Sequence, residues 1–313
     1  MRPSVGAMAQ LPGTDLTVSD LCLGTNILGT RADEPTSFAV LDRFLDGAGA
    51  SPAFVDTAES YGDGASEEVI GRWMAAREVR DRVVLATKAS PRGKEHPLSA
   101  AEIRGAVEGS LRRLQTDVID LYYAHYDDET TPLEETLRAF DELVQAGTVR
   151  AVAASNYSAK RLEEALATSE RLGVVRYAAL QTHYNLMERA AFEDELQGAA
   201  ERAGLGVLPY YGLAKGFLTG KYRPGAQVGS HRAKAASQYI GERGARVVAA
   251  LGEVAAEHGV SKAAVALRWL ADQPTVVAPL ASARTVEQLA ELLPMQDLVL
   301  TDEQRQALTD ASA

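Results

Sequence analysis

Four residues of complementary chemistry recur at one kind of position. Phe54-Val55-Asp56 runs from apolar residues into a carboxylate, Tyr61 follows five residues later, and Gly62-Asp63-Gly64 then breaks the run. Val83-Val84-Leu85-Ala86-Thr87 runs into Lys88, and the stretch Val118 to Ala124 runs into His125. A buried carboxylate needs a cationic partner, and a phenol that is to release a proton near neutral pH needs a cation beside it. Lys88 is a candidate for both tasks. Taken singly, each residue has a structural explanation: Asp56 as a helix cap, Lys88 as a solvated loop charge, Tyr61 as packing, His125 as a hydrogen-bonded structural histidine. Their coincidence at one end of three successive strands points instead to a centre for moving a proton.

Those positions require a scaffold. Apolar runs predict strands over Val18–Gly24, Ala53–Asp56, Val83–Lys88, Val118–Ala124, Val149–Ser155, Ala178–His183, Gly206–Tyr210 and Thr275–Leu280. Helical spacing falls between them, as in Thr36–Gly47, Ser66–Arg77, Pro132–Gln145, Ala159–Arg171 and Phe192–Ala203. Ser99 and Glu102 read as a capping box opening a helix to Leu114. Helices Glu242–His258, Ser261–Ala271, Thr285–Leu292 and Asp302–Ala311 complete the chain. The first seven strands recur about every 30 residues, the length of a strand–helix–strand unit. Near-continuous apolar strands suit a sheet covered on both faces. No strand is followed by Gly-x-Gly-x-x-Gly, so an open dinucleotide-binding sheet is disfavoured. The expectation is an α/β fold: a single (β/α)8 TIM barrel domain over residues 1–313, with extra helices and a long loop after the seventh strand. The loop, Gly212 to about Ile240, is too long for an ordinary connection and reads as functional. In such a barrel the chemistry lies where the carboxyl ends of the strands converge, which is where the four residues fall.

Composition narrows the function. The 313 residues carry a net charge of −11, which argues against non-specific nucleic-acid binding while leaving room for a basic pocket. Cys22 is the only cysteine, so neither an intrachain disulfide nor a thiolate cluster is expected. No apolar run is long enough to span a membrane and the start lacks a signal-peptide core, so a cytoplasmic protein is expected. The five histidines show no zinc spacing, and no metal site is expected. Gly216-Phe217-Leu218-Thr219-Gly220-Lys221-Tyr222 looks superficially like a phosphate loop but lacks the hydroxyl residue that holds magnesium. Asp127, Asp128 and Glu129 read as a solvated loop face rather than opposed glycosidase carboxylates.

Several of these stretches also carry a family resemblance. Leu23-Gly24-Thr25, Asp56-Thr57-Ala58-Glu59-Ser60-Tyr61-Gly62, Asp120-Leu121-Tyr122-Tyr123-Ala124-His125 with Asp128, and Thr131-Pro132-Leu133-Glu134-Glu135-Thr136-Leu137 match motifs of one superfamily. So do Val149-Arg150 through Ser155-Asn156, and Tyr210 through Tyr222. From about Leu16 to Leu292 the chain resembles the aldo-keto reductase superfamily.

That resemblance implies a barrel binding NADPH (NADP+) in extended form, and reduction of a small-molecule carbonyl by hydride transfer. It implies a catalytic tetrad of Asp56, Tyr61, Lys88 and His125. Tyr61 would be the acid, Lys88 would lower its pKa, Asp56 would anchor Lys88, and His125 would bind the carbonyl oxygen. For the cofactor it implies Gly24, Thr25 and Asp56 near the reacting end, with Ser155, Asn156 and Gln181 on the nicotinamide amide and Tyr210 stacked on its ring. Leu213, Gly216, Leu218 and Lys221 would belong to a belt over the pyrophosphate, and Ser282, Arg284 and Gln288 to the 2′-phosphate site. This chain has Tyr211-Gly212 where Ser-Pro is common, and Leu292 where many members have an adenine-contacting Asn. The same resemblance admits an alternative, a nicotinamide-binding redox sensor or regulatory subunit with little turnover, like the potassium-channel β subunits.

Overall fold

A computed structural model gives the fold for residues 9–49, 51–90, 93–222 and 233–313. Two short strands, β1 (Ala9–Gln10) and β2 (Thr17–Val18), pair as an antiparallel hairpin. A parallel sheet of eight strands follows: β3 (Cys22–Gly24), β4 (Ala53–Asp56), β5 (Val83–Ala89), β6 (Ile119–Ala124), β7 (Val149–Ser155), β8 (Ala179–His183), β9 (Gly206–Tyr210) and β10 (Leu280–Ala281). Neighbours in space run β10-β3-β4-β5-β6-β7-β8-β9. A bridge from Val207 of β9 to Val276 closes the ring, with the Val277 amide donating to the Val207 carbonyl at 2.8 Å. The result is the TIM-barrel architecture with additional helices.

Alternation along each strand explains the placement of the polar groups. Side chains two residues apart share a face. Cys22, Phe54, Val84, Ala86, Leu121, Tyr123, Ala151, Ala153, Ala179 and Leu208 belong to one buried cluster, which also takes in Leu11, Leu16 and Val18 of the hairpin. Val55, Val83 and Leu85 pack instead in a second cluster with helix residues such as Val69, Ile70 and Trp73. Continuing the inward series by one pleat gives Asp56, Lys88, His125, Ser155, Gln181 and Tyr210, all at the carboxyl ends. The hairpin packs into the inward-facing cluster, so the polar groups gather at one end of the barrel.

The structure departs from the sequence reading in five places. The predicted first strand is interrupted: Val18 pairs back to Ala9 in the hairpin, and only Cys22–Gly24 joins the barrel. The predicted eighth strand is likewise divided, touching β9 at Val276 and β3 at Leu280–Ala281. The predicted helix Phe192–Ala203 is two helices, Ala190–Glu193 and Leu196–Ala203. No capping box forms at Ser99, because Glu102 instead meets Lys94 at 3.1 Å. The segment after β9 contains 3-10 turns at Ala214–Thr219 and Ser237–Tyr239, while residues 223–232, Gly225 among them, lie outside the described residues. No helix among the described residues is long and apolar enough to cross a membrane.

Two glycines test how tightly the helical layer is packed. A Cβ at Gly71, in helix Ala65–Arg77, would stand 2.2 Å from the Arg113 carbonyl oxygen and 2.7 Å from the Leu114 carbonyl carbon. Both atoms are backbone, so two helices would have to separate. Gly71→Ala is expected to destabilise by about 1–3 kcal/mol or more. Gly105, exposed in helix Ala100–Leu114, has nothing within 4 Å of its virtual Cβ. Gly105→Ala is expected to stabilise by about 0.5–1 kcal/mol. Denaturant unfolding of the two variants checks the pair, and equal effects would contradict the packing described.

Candidate active site

The site is built from the end of β4. Asp56 is 1% exposed and Lys88 is fully buried, yet both ends of the pair are satisfied. Lys88 Nζ lies 2.6 Å from Asp56 Oδ1 and donates to the Thr57 carbonyl at 2.6 Å. The other Asp56 oxygen accepts from Gln181 Nε2 at 2.9 Å. The strand end itself is fixed by Thr25, whose amide and hydroxyl both donate to the Asp56 carbonyl, at 3.0 and 2.8 Å.

Tyr61 follows on a tight turn. Its amide donates to the Ala58 carbonyl at 3.0 Å, and the next residue, Gly62, takes φ +61°. A Cβ at Gly62 would also meet Thr30 Cγ2 at 2.4 Å, so two constraints require glycine there. The turn is tied to β5 through Glu59, whose Oε1 accepts the Ser90 amide at 2.6 Å. Lys88 Nζ then sits 5.1 Å from the centre of the Tyr61 ring and 5.4 Å from that of Tyr123.

Burial and charge compete at each group. Burial pulls the Lys88 ammonium down, but the Asp56 carboxylate and the Tyr61 phenol overcome it and leave Lys88 above its ordinary value. Burial pushes the Asp56 carboxyl up against the opposing pull of Lys88. The Tyr61 phenol is likewise pushed up by burial, and the lowering field of Lys88 does not cancel this. The expectation from the sequence is that Lys88 lowers the phenol's pKa. Lys88 acts in that direction, but burial outweighs it and the phenol stays protonated.

His125 enters from β6. Its amide donates to the Ala89 carbonyl at 3.1 Å, and its carbonyl accepts from Asn156 Nδ2 at 2.9 Å. The imidazole stands edge-on to Tyr61, with ring centres 6.0 Å apart at 80°. The loop beyond it is not a solvated face. Asp128 is 6% exposed and accepts from the Leu98 and Thr130 amides at 3.0 and 2.9 Å. Burial pushes its carboxyl up, but the Thr130 and Thr131 hydroxyls and those amides hold it down at about 2. Asp127 pairs with Arg161 at 2.9 Å, which leaves only Glu129 as the exposed charge expected there.

These groups open onto a cavity of about 630 Å³. Tyr61, His125, Asp56 and Gln181 all line it, whereas Lys88 does not and meets it only through Asp56. Gly24, Thr25, Asn156, Tyr210, Leu213, Gly216, Lys221, Ser282, Arg284 and Gln288, all named above as cofactor-site candidates, also line it. Ser155 and Leu218 do not: both are fully buried, and Ser155 Oγ accepts from Asn156 Nδ2 at 3.0 Å. Asn156 is a junction, for its Oδ1 also accepts from the Tyr210 hydroxyl at 2.8 Å. Lys215 reaches the cavity too, from a backbone at φ +59°. Thr219, Tyr222 and Glu291 are also among the lining residues, and of these Glu291 carries no mark in the sequence. Among the described residues no group of three or more His, Cys, Asp or Glu could hold a metal ion.

The arrangement can hold a protonated phenol beside a permanent cation, with an imidazole at its edge, all facing one cavity of mixed polar and apolar lining. The sequence profile of the aldo/keto reductase family matches residues 20–313. The chain is 37% identical over 310 residues to an uncharacterised oxidoreductase, YrpG, of Bacillus subtilis (strain 168), covering 95% of this chain and 93% of that protein. It is 34% identical over 304 residues to the aldo-keto reductase YhdN of the same organism, covering 93% and 88%. It is 33% identical over 297 residues to a probable voltage-gated potassium channel subunit beta of Oryza sativa subsp. japonica, covering 91% and 89%.

The buried pair sets a stability expectation. Lys88→Met removes the cation and leaves Asp56 with Gln181 alone, and breaking a buried ion pair from one side costs about 3–5 kcal/mol. Tyr61 is only half-buried, and Tyr61→Phe leaves the pair intact. Chemical denaturation should therefore show a large loss for Lys88→Met and a small one for Tyr61→Phe. Similar losses in the two variants would mean that the pair does not carry the stability assigned to it.

Proposed function

The chain belongs to the aldo/keto reductase family, and from that premise we propose that it reduces aldehyde or ketone carbonyls to alcohols with NADPH, Tyr61 being the general acid. The observation that carries this reading is the fully buried Lys88 Nζ, 2.6 Å from a carboxylate on one side and 5.1 Å from the Tyr61 ring centre on the other. In this reading the whole chain works as one barrel, acting in the cytoplasm on a small molecule.

The cavity's chemistry fits the cofactor. Lys215, Lys221 and Arg284 offer three cations along one part of the wall, while Tyr210 offers a ring near Tyr61 and His125. Phosphates suit the first and a nicotinamide ring the second. Asn156 and Gln181 would hold the amide, though Gln181 is also committed to Asp56. Arg284 stands just before the Thr285 cap of helix Val286–Leu292, its amide donating to Gln288 Oε1 at 2.9 Å. Arg284 also lines the cavity, which supports its assignment to the 2′-phosphate in this reading.

When bound, the reduced nicotinamide supplies the hydride. His125 binds the carbonyl oxygen and polarises it. Tyr61 gives its hydroxyl proton to that oxygen as negative charge develops there, so the carbonyl gains one hydride and one proton. Lys88 stabilises the tyrosinate left behind, and Asp56 keeps Lys88 charged. Because burial holds the phenol above its ordinary value, the acid is protonated throughout the neutral range. Reduction should decline only on the alkaline side.

The potassium-channel relative supports a second reading, a nicotinamide-binding sensor that turns over slowly. Following NADPH oxidation across a panel of aldehydes and ketones separates the two. A sensor would bind the cofactor yet oxidise it slowly with every carbonyl.

Two substitutions test the enzymatic reading. Tyr61→Phe keeps the ring but removes the transferable proton, so carbonyl reduction should fall by about 10²–10⁴ while NADPH binding, followed by fluorescence, is retained. Near-normal turnover in that variant would show that Tyr61 is not the acid. Arg284→Ala should weaken NADPH by about 1.5–3 kcal/mol, roughly tenfold to a hundredfold, and leave NADH little changed. Titration of both cofactors checks this, and unchanged NADPH affinity would remove Arg284 from the phosphate site.

A further inference from the structure

Asp56 and Lys88 belong to the inward series, so Thr57, the next residue, and Thr87, the preceding one, face the helices. Both hydroxyls end on the first turn of helix Ala65–Arg77. Thr57 Oγ1 donates to Ser66 Oγ at 3.0 Å, and Thr87 Oγ1 donates to Glu67 Oε1 at 2.6 Å. Ser66 Oγ also lies 3.0 Å from both the carbonyl and the hydroxyl oxygen of Thr25. Two adjacent residues of one helix thus tie together the carboxyl ends of three neighbouring strands, β3, β4 and β5.

Glu67 is the unusual member, because it is an acid that is fully buried. Its second oxygen accepts from Arg113 Nε at 2.7 Å. Arg113 comes from helix Ala100–Leu114, and its stem lies across Gly64, where a Cβ would stand 2.6 Å from Arg113 Cδ and 2.8 Å from Nε. Gly64, at φ +96°, ends the turn that carries Tyr61, and the Ser66 amide donates to the Tyr61 carbonyl at 3.3 Å. The Glu67–Arg113 pair therefore meets the Tyr61 turn on one side and, through Thr87, the residue before Lys88 on the other. An apolar pair of similar volume is often no less stable than a buried ion pair, so stability alone does not account for it.

Resting on the carbonyl-reductase reading, we propose that Glu67 and Arg113 are positioning residues for the proton transfer, fixing the Tyr61 turn relative to Lys88 from the outer face of the sheet. Neither lines the cavity, so they act through the groups they hold. Lys88 Nζ donates to the Thr57 carbonyl while the Thr57 hydroxyl is bonded to Ser66, so cation and phenol are both referred to the same helix end. Thr87 is the link between the pair and the strand that carries Lys88. Breaking that link leaves every group that touches substrate or cofactor in place chemically and loosens only their spacing.

The test is a double-mutant cycle on steady-state carbonyl reduction with NADPH. Thr87→Val removes one hydroxyl at nearly constant shape. Its kcat should fall about tenfold or more, since small misplacements of reacting groups are costly, while KM and NADPH affinity change little. Thr87→Ser should restore kcat, and Glu67→Gln should lose it as Thr87→Val does. In a Tyr61→Phe background Thr87→Val should cost little further, because the group being positioned is gone. An equal loss in both backgrounds would mark a general structural effect and overturn the proposal. Unchanged kcat in Thr87→Val and Glu67→Gln, with wild type reducing carbonyls, would overturn it and leave the reductase reading standing. Wild type that binds NADPH and reduces no carbonyl would overturn both.

Discussion

Everything at the polar end of the barrel depends on one buried ion pair. Taking an ammonium and a carboxylate out of water costs several kcal/mol per ion even after relaxation, on the order given by buried pairs generally. The fold offsets this with contacts from three separate segments: Asp56 and the Thr57 carbonyl at the end of β4, Lys88 from β5 and Gln181 from β8. An apolar pair of similar volume would fill the same space at less cost. The pair is therefore poorly explained as a stability device. What it supplies is a fixed positive charge under the Tyr61 ring, in a place where no solvent screens it.

The scaffold that makes this possible is a consequence of strand alternation. The inward face of each strand is apolar for one or two pleats and turns polar at the last. Phe54 gives way to Asp56, Ala86 to Lys88, Tyr123 to His125, Ala179 to Gln181 and Leu208 to Tyr210. The same parity that packs the barrel interior thus aims the polar groups into one space. The hairpin residues Leu11, Leu16 and Val18 join the inward-facing cluster, so the apolar interior continues into the N-terminal segment while the reacting groups share the cavity.

This arrangement was largely legible in the sequence, for a physical reason. Near-continuous apolar runs ending in a titratable residue need no long-range information to be seen, and Asp56, Lys88 and His125 announce themselves in that way, with Tyr61 following Asp56 in the loop. What was not legible depends on pairing partners. Val18 and Cys22 read as one strand because both are apolar, and only the antiparallel contact to Ala9 divides them. Asp128 reads as a surface acid among acids until Leu98, from a distant loop, donates to it. Gln181 reads as a cofactor ligand, and its bond to Asp56 spans 125 residues. Ser155 and Leu218 lie on motifs but are fully buried and do not line the cavity, Leu218 packing in the apolar core.

On the proposed carbonyl-reductase reading, the raised phenol sharpens what Lys88 would contribute. A cation that ionised Tyr61 in the resting site would leave nothing to donate, so a depressed phenol would be a defect for reduction. Burial prevents this by opposing the charged form, and it opposes tyrosinate equally when the proton is transferred. Lys88 acts chiefly on that second state, because its field matters most once negative charge is present. The pair is already in place before reaction, so no dipoles need reorient as the charge appears. The interaction is stronger after proton transfer than before it, which is the condition for lowering a barrier rather than merely binding a ground state. Burial and the buried cation are thus opposed in the resting site and complementary in the reaction: one keeps the acid loaded, and the other makes its conjugate base tolerable.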